Sequence, residues 1–174
     1  MPFFEAPFIA IRSFFEAGGN VLWAIFFVTM LMWSLIIERL WFFRAVLPAQ
    51  IERQKNAWES RTDRESWRAQ RIREMLISEV RIDTQRFLKT VQVLMALLPL
   101  LGLLGTVTGM IQVFNIMAIS GTSNARLMAS GVSAATIPTM AGLVAALSGF
   151  YPAGLLQRRA NQNIKLTTDM LTAH

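Results

Sequence analysis

Hydrophobic residues along this chain are gathered into three long stretches separated by polar segments. The first runs over 21–43, the second over 93–119 and the third over 127–156. A helix needs about 20 predominantly apolar residues to cross a bilayer. The first stretch is charged only at Glu38 and Arg39, near its end, and the other two carry no charge. The pattern therefore predicts an all-α membrane protein with three transmembrane helices.

The segments around these stretches define the predicted organisation of the chain. They are an amphipathic N-terminal helix on the periplasmic side (1–19), the first span (20–43), a helical cytoplasmic loop (44–90), the second span (91–119), a periplasmic connection (120–126), the third span (127–156) and a cytoplasmic tail (157–174). Phenylalanines recur at helical spacing in the N-terminal segment, as in a helix that lies on a membrane surface. A frayed extension is the alternative. The run Gly18-Gly19-Asn20 is expected to break the helix before the first span.

The cytoplasmic loop has its own helical pattern, with apolar residues at steps of three, four and seven between Ile72 and Phe87. From Pro48 to Pro99 the chain contains no further Pro or Gly. We therefore expect a helix that begins in the loop to continue unbroken into the second span. The second and third helices are expected to be long and to extend into the cytoplasm.

Composition and charge set the orientation. Hydrophobic residues make up 53% of the chain, a high fraction for a soluble domain. The loop holds 11 Lys and Arg residues and the tail three, against two in the N-terminal segment and the second connection together. Because short basic loops stay in the cytoplasm, the N-terminus is expected outside the cytoplasm and the C-terminus inside it. The formal charge of +6 is then explained by topology and by attraction to anionic membrane lipids, without nucleic acid.

Residue types that carry out catalysis or bind metals are scarce. The chain has no cysteine, and its one histidine is His174, so disulfides and thiolate metal sites are excluded. The second and third spans contain no Asp, Glu, Lys, Arg or His. We therefore expect no enzyme, no cofactor and no metal site. Ionisable groups mark proton pathways in membranes, so this chain alone is expected to carry protons poorly.

Small residues in the two later spans are spaced for close helix packing. Gly102, Gly105 and Gly109 lie at steps of three and four, and Gly142 belongs to a second small-residue face centred on Pro138. Small side chains let helix backbones approach each other in a membrane. A proline within a span removes one backbone hydrogen bond, which nearby hydroxyls or water can replace. We expect the two helices to pack through these faces.

Hydroxyl groups are the polar side chains deep in these spans. Thr106 lies about halfway along the second span, and Thr136 and Thr139 lie halfway along the third. Taken singly, each is expected to bond to a carbonyl of its own helix. Gathered at one depth, the three favour a narrow, partly hydrated passage.

The two charges of the first span, Glu38 and Arg39, have two interpretations. They form a pair that reaches to the lipid headgroups, or an ion pair with a neighbouring helix or a partner.

Three segments carry a resemblance to a known family. The runs LLPLLGLLGTVTGMIQVF (97–114) and ASGVSAATIPTMAGLVAALSGFYPAGL (129–155) resemble the MotA/TolQ/ExbB family, and within it the ExbB branch. The run IIERLWFF (36–43) is similar to the end of the family's first span. Short chains of this kind look like the ExbB of auxiliary TonB systems.

The resemblance implies a homopentameric ring in the bacterial inner membrane, with the second and third helices around a central lumen. It implies an ExbD-type partner whose single helices lie inside the lumen and whose aspartate takes up and releases protons. It also implies a TonB-type protein that passes force to an outer-membrane receptor for iron-siderophores, haem or cobalamin.

Carried over by position, the resemblance assigns lumen threonines to Thr106 and Thr139. The family's third helix usually reads GIAEALLATAIGLVAA with a lumen-facing glutamate, whereas the present chain reads GVSAATIPTMAGLVAA from Gly131. Ala134 therefore stands at the glutamate position, and the hydroxyl of Thr136 follows two residues later. This departure argues against proton relay by a carboxylate of this chain.

Three alternatives to an ExbB-like motor subunit follow from the same residues. A TolQ-like subunit of the Tol-Pal envelope system would use the same helices, and a structural ring would house partner helices and conduct nothing. A MotA-like stator would have four spans and a much larger cytoplasmic loop.

Overall fold

The computed structural model describes residues 5–60, 66–120 and 125–170, and all its elements are helical. In chain order they are α1 (Glu5–Trp41), a π-helical turn (Phe42–Val46), α2 (Leu47–Glu59), α3 (Trp67–Gln85), α4 (Leu88–Ser120) and α5 (Ala125–Met170). Three helical segments in this part of the chain are long and apolar enough to cross a membrane. The predicted all-α membrane class is confirmed.

A glycine bends α1 near its start. Gly19 has φ 64° and ψ −160° and separates two helical runs, a backbone conformation that costs glycine little because it has no Cβ. This position lies within the predicted Gly18-Gly19-Asn20 break. The predicted aromatic face consists of Phe4, Phe8, Ile11 and Phe15. The first three lie outside the residues whose side chains are described, and the ring of Phe15 lies 4.7 Å from that of Trp23, between centroids.

The helices contribute to two compact units. The first contains Met1–Trp33 and Val93–Phe150, and the second contains Ser34–Gln92 and Tyr151–His174. Of the residues that form the three spans, only 17–22% are buried within the chain. Most of the surface of the spans is therefore left for lipid or for other proteins.

In the first unit, α4 and α5 run antiparallel with their backbones in close approach. A Cβ added at Gly102 would lie 2.9 Å from the Cα of Thr139, and one added at Gly109 would lie 2.9 Å from the Cα of Ala135. Real Cβ atoms do not come so near to other carbon atoms, so only glycine fits. The residues predicted for helix packing all lie at this contact: Gly102, Gly105, Gly109, Pro138 and Gly142.

Helix α1 packs against this pair through larger side chains. Val21 lies against Gly105, and Met32 lies against Gly149. The indole Nε1 of Trp33 donates a hydrogen bond to Ser148 Oγ at 3.3 Å. Within a membrane an indole N–H and a hydroxyl each need a partner, and this bond supplies one between α1 and α5.

In the second unit, α2 and α3 form a hairpin with a small core. The Trp58 side chain is 2% exposed and packs with Ala69, Leu76 and Ile77. Ser66 caps α3, its Oγ accepting the backbone N–H of Ala69 at 3.2 Å.

The prediction that one unbroken helix runs from the loop into the second span is wrong at Arg86 and Phe87. Helix α3 ends at Gln85 and α4 begins at Leu88, because Phe87 has φ 61° and cannot continue a right-handed helix. In a continuous helix the Phe87 N–H would donate to the carbonyl of Asp83. Arg39 Nη1 donates to that carbonyl instead, at 2.9 Å.

Arg39 is the centre of this junction. Its side chain is buried, and its guanidinium also pairs with Glu38 at 2.8 and 3.2 Å. The guanidinium lies over the ring of Phe87, with 5.1 Å between Cζ and the ring centroid, and 4.8 Å from that of Phe42. A planar cation can stack and donate in its plane at once. Arg39 therefore both caps α3 and holds the aromatic ring that breaks the helix.

Gly142→Ala should destabilise the fold by about 1–3 kcal/mol, the usual cost of overpacking. The new methyl would meet backbone atoms of Leu98 and Gly102, which cannot turn aside as a side chain can. Unfolding in a detergent titration, followed by tryptophan fluorescence, measures the change. Gly154→Ala is the matched control, since a Cβ there meets nothing within 4 Å. Equal stability of the two variants would contradict the close approach of α4 and α5.

Arg39→Lys should loosen the last turn of α3 although it keeps the charge. Lysine has no planar fork, so it cannot cap the Asp83 carbonyl and lie over the Phe87 ring together. We expect a loss of about 1 kcal/mol, the net contribution of one hydrogen bond, seen as faster hydrogen exchange in residues 82–87. Arg71→Lys is the control on the same helix, because its ion pair with Glu74 is solvent-exposed. Unchanged exchange in Arg39→Lys would mean that Arg39 does not hold the junction.

Candidate functional site

Three threonines lie at one level of the α4–α5 pair. Gly105 lies against Pro138 across the contact, which places Thr106 opposite residue 137. Thr136 and Thr139 are within two residues of that position, about 3 Å along the helix axis. The two antiparallel helices therefore bring these hydroxyls together from distant parts of the sequence.

The three threonines also lie on the same side of the pair. Each directly follows a contact residue: Thr106 follows Gly105, Thr136 follows Ala135 and Thr139 follows Pro138. One residue is a rotation of about 100°, and in an antiparallel pair the residues that follow contact positions all turn to one side. Helix α1 packs on the other side, where Ser148 precedes the contact residue Gly149.

The hydroxyl protons on this side are already engaged. Thr106 Oγ1 donates to Leu103 O at 2.7 Å, and Thr136 Oγ1 donates to Ser133 O at 2.8 Å, each within its own helix. Thr139 differs, since its Oγ1 donates across the contact to Gly102 O at 2.9 Å. Each oxygen keeps lone pairs that can accept a hydrogen bond from water or from another protein.

The surroundings of the three hydroxyls are apolar and uncovered within the chain. Leu103, Val132 and Leu143 also follow contact glycines, and their side chains are 58%, 45% and 48% exposed. We name this surface the hydroxyl face. Its members are Leu103, Thr106, Val132, Thr136, Thr139 and Leu143. It is an apolar surface crossed by a belt of hydroxyl acceptors, and no member is ionisable.

Ala134, which the resemblance places at the position of the family's lumen-facing glutamate, lies on another side of the pair. It precedes the contact residue Ala135 and therefore turns toward the α1 side. There it lines an open cavity of about 650 Å³ together with Thr108 and Gln112 of α4. The structure thus groups Thr106, Thr136 and Thr139 and separates Ala134 from them.

The sequence interpretation missed Gln112. Only hydroxyls were taken as polar groups of the spans, although an amide in a charge-free apolar helix is itself a signal, because it needs hydrogen-bond partners there. Asn20 from the start of the first span lines the same cavity.

The two predicted charged residues of the first span belong to the second unit. Glu38 and Arg39 lie at the α3–α4 junction described above. Among residues 5–60, 66–120 and 125–170, no three His, Cys, Asp or Glu side chains gather as metal ligands would. The chemistry that the hydroxyl face offers is hydrogen bonding to water or to a polar group of a partner.

Comparison with known proteins adds a family to this geometry. A model of the MotA/TolQ/ExbB proton channel family matches residues 41–168, which is about three quarters of the chain. The chain is also similar to a protein of Synechocystis sp. described as biopolymer transport protein ExbB-like 1. The two are 47% identical over 62 residues, which is 34% of the present chain. The matched stretch spans 24% of that relative's length.

Proposed function

Because the chain belongs to the MotA/TolQ/ExbB proton channel family as an ExbB-type member, we propose that it is the inner-membrane subunit of a proton-driven motor. With an ExbD-type partner it energises TonB-dependent uptake of iron-siderophores, haem or cobalamin across the outer membrane. The observation that carries the proposal is the hydroxyl face, a belt of three threonine oxygens at one level of an apolar, uncovered surface.

The acid group of the motor comes from the partner. The second and third spans hold no Asp, Glu, Lys, Arg or His, and a threonine hydroxyl neither takes up an extra proton nor releases its own at neutral pH. An aspartate on a partner helix that lies against the hydroxyl face would supply the titrating group. Thr106, Thr136 and Thr139 would then orient the water or carboxylate between them.

The position of Ala134 supports this division. It lies with Thr108 and Gln112 on the α1 side, away from the threonine belt. A carboxylate of this chain at position 134 is therefore not needed to complete the belt, and the pathway runs between the hydroxyl face and the partner.

The proposed assembly is a pentameric ring around a central lumen. It is supported by the apolar area that the chain leaves uncovered, since at most 22% of the span residues are buried within it. The hydroxyl faces of the copies line the lumen, and the helices of the ExbD-type protein lie inside it. The N-terminus is periplasmic and the C-terminus cytoplasmic, in keeping with the basic loop and tail.

A non-conducting ring is the second candidate, and one observation favours it. All three hydroxyls of the belt already donate to backbone carbonyls, so they need not take part in a moving chain of protons. A TolQ-like role in the Tol-Pal system uses the same face, and the neighbouring genes distinguish it.

Proton flux into liposomes that hold this chain and its ExbD-type partner tests the proposal. Thr106→Val and Thr136→Val keep the side-chain shape and remove the hydroxyl. Each should lower the flux by about tenfold, which corresponds to roughly 1.4 kcal/mol, the size of one hydrogen bond. Thr139→Val is less informative because it also removes the bond to Gly102.

Thr29→Val is the matched control for this experiment. Thr29 lies in α1, and its hydroxyl donates to Ile25 O at 2.7 Å within its own helix, so the flux should not change. Equal flux in all variants would remove the hydroxyl belt from the pathway. A complete absence of flux in the unmodified complex would favour the non-conducting ring.

A further inference from the structure

The cavity on the α1 side of α4 and α5 has walls of unusual composition. It has a volume of about 650 Å³ and opens beside Gly19, at the bend of α1. Most of its wall is glycine, alanine, valine and proline, and three side chains bring polar atoms to it. These are Asn20, Thr108 and Gln112, from α1 and α4.

The side chains of the two amides are exposed, and the described part of the chain supplies no hydrogen-bond partner to either. Among the described residues, Asn20 and Gln112 make no side-chain hydrogen bond. Thr108 donates to carbonyls of its own helix, Leu104 O at 3.0 Å and Gly105 O at 3.1 Å, and keeps its lone pairs free. Unpaired amides are costly in a hydrocarbon environment, so something in the cavity must bond to them.

A backbone carbonyl beside the cavity also lacks a hydrogen-bond donor. Pro138 has no N–H, so it cannot donate to the carbonyl of Ala134 four residues earlier. Both residues line the cavity. An acceptor that the helix leaves unpaired thus lies beside the cavity that holds the unpaired amides.

Water is the occupant that satisfies all of these groups. A molecule of liquid water takes about 30 Å³, so a cavity of about 650 Å³ has room for several beside its polar groups. A lipid chain would fill the volume but leave two amides and a carbonyl unpaired.

We propose that this cavity is a water-filled vestibule, open on the side of the membrane that holds the N-terminus, with Asn20, Thr108, Gln112 and the Ala134 carbonyl as its water ligands. It lies on the opposite side of the α4–α5 pair from the hydroxyl face. It brings water to position 134 from behind the pair. This inference goes beyond the proposed function and stands even if the chain conducts no protons.

Cysteine accessibility tests the vestibule, because the chain contains no cysteine of its own. Gln112→Cys and Thr108→Cys are made singly in the full chain in bacterial membranes. A charged, membrane-impermeant thiosulfonate is added to each side of the membrane in turn. From the N-terminal side both cysteines should react, since a thiolate forms only where water is present.

Two neighbouring positions are matched controls. Ile111 and Val107 precede Gln112 and Thr108 by one residue, do not line the cavity and are 54% and 51% exposed. Their cysteine variants should react slower by on the order of tenfold or more, because a thiol in lipid does not ionise.

Three results would overturn the vestibule. If the cavity cysteines react with the charged thiosulfonate as slowly as the control cysteines, lipid fills the cavity. If they do not react at all until the protein is unfolded, a second copy or a partner helix fills it. If the control cysteines react as fast as the cavity cysteines, the cavity is no distinct water site. None of these outcomes depends on proton flux, so the vestibule and the proposed function fail separately.

Discussion

The close approach of the α4 and α5 backbones is the constraint on which the first unit depends. At Gly102 and Gly109 even one added carbon would meet a backbone Cα at 2.9 Å. Only at such a distance can Thr139 reach across to the carbonyl of Gly102. The same contact divides the pair into two sides, with the hydroxyl face on one and α1 with its cavity on the other. Lipid tails are as apolar as leucine, so helices in a membrane associate mainly through close packing and hydrogen bonds. This chain uses both at one contact.

Much of the fold can be predicted from residue types alone. The charge-free apolar runs predict the spans, because the bilayer sets their length, and the small residues that lie at the α4–α5 contact are visible as steps of three and four. The break at Arg86 and Phe87 is different. No Pro or Gly marks it, and it rests on Arg39, 47 residues before Arg86, which replaces a helical donor at Asp83 O. A contact between distant residues cannot be read from the local pattern of residues 72–89.

The sequence predicts the three threonines of the candidate site but not the side of the α4–α5 pair on which they lie. The depth of Thr106, Thr136 and Thr139 follows from their place in each span. The separation of Ala134 from them follows only from the register of two antiparallel helices, in which residues before and after a contact position turn to opposite sides. The proposed role of Gln112 could not be predicted either. It rests on the lack of a hydrogen-bond partner for the amide, and a sequence does not show which side chains lack partners. In the proposed motor, this chain supplies a wall with hydroxyl acceptors, and a partner supplies the carboxylate.

The central claim is that the hydroxyl face is covered by another protein in the working assembly. Site-specific photo-crosslinking in living cells tests it most directly, with p-benzoylphenylalanine in place of Thr136. Val144 carries the same probe as the reference position, because it is 66% exposed and, nine residues from Ala135, lies on the far side of α5 from α4. The account predicts a crosslink from position 136 to the single-span partner or to a second copy of this chain, and none to the partner from position 144. Crosslinks to the partner from position 144 alone, with only lipid adducts from position 136, would contradict it.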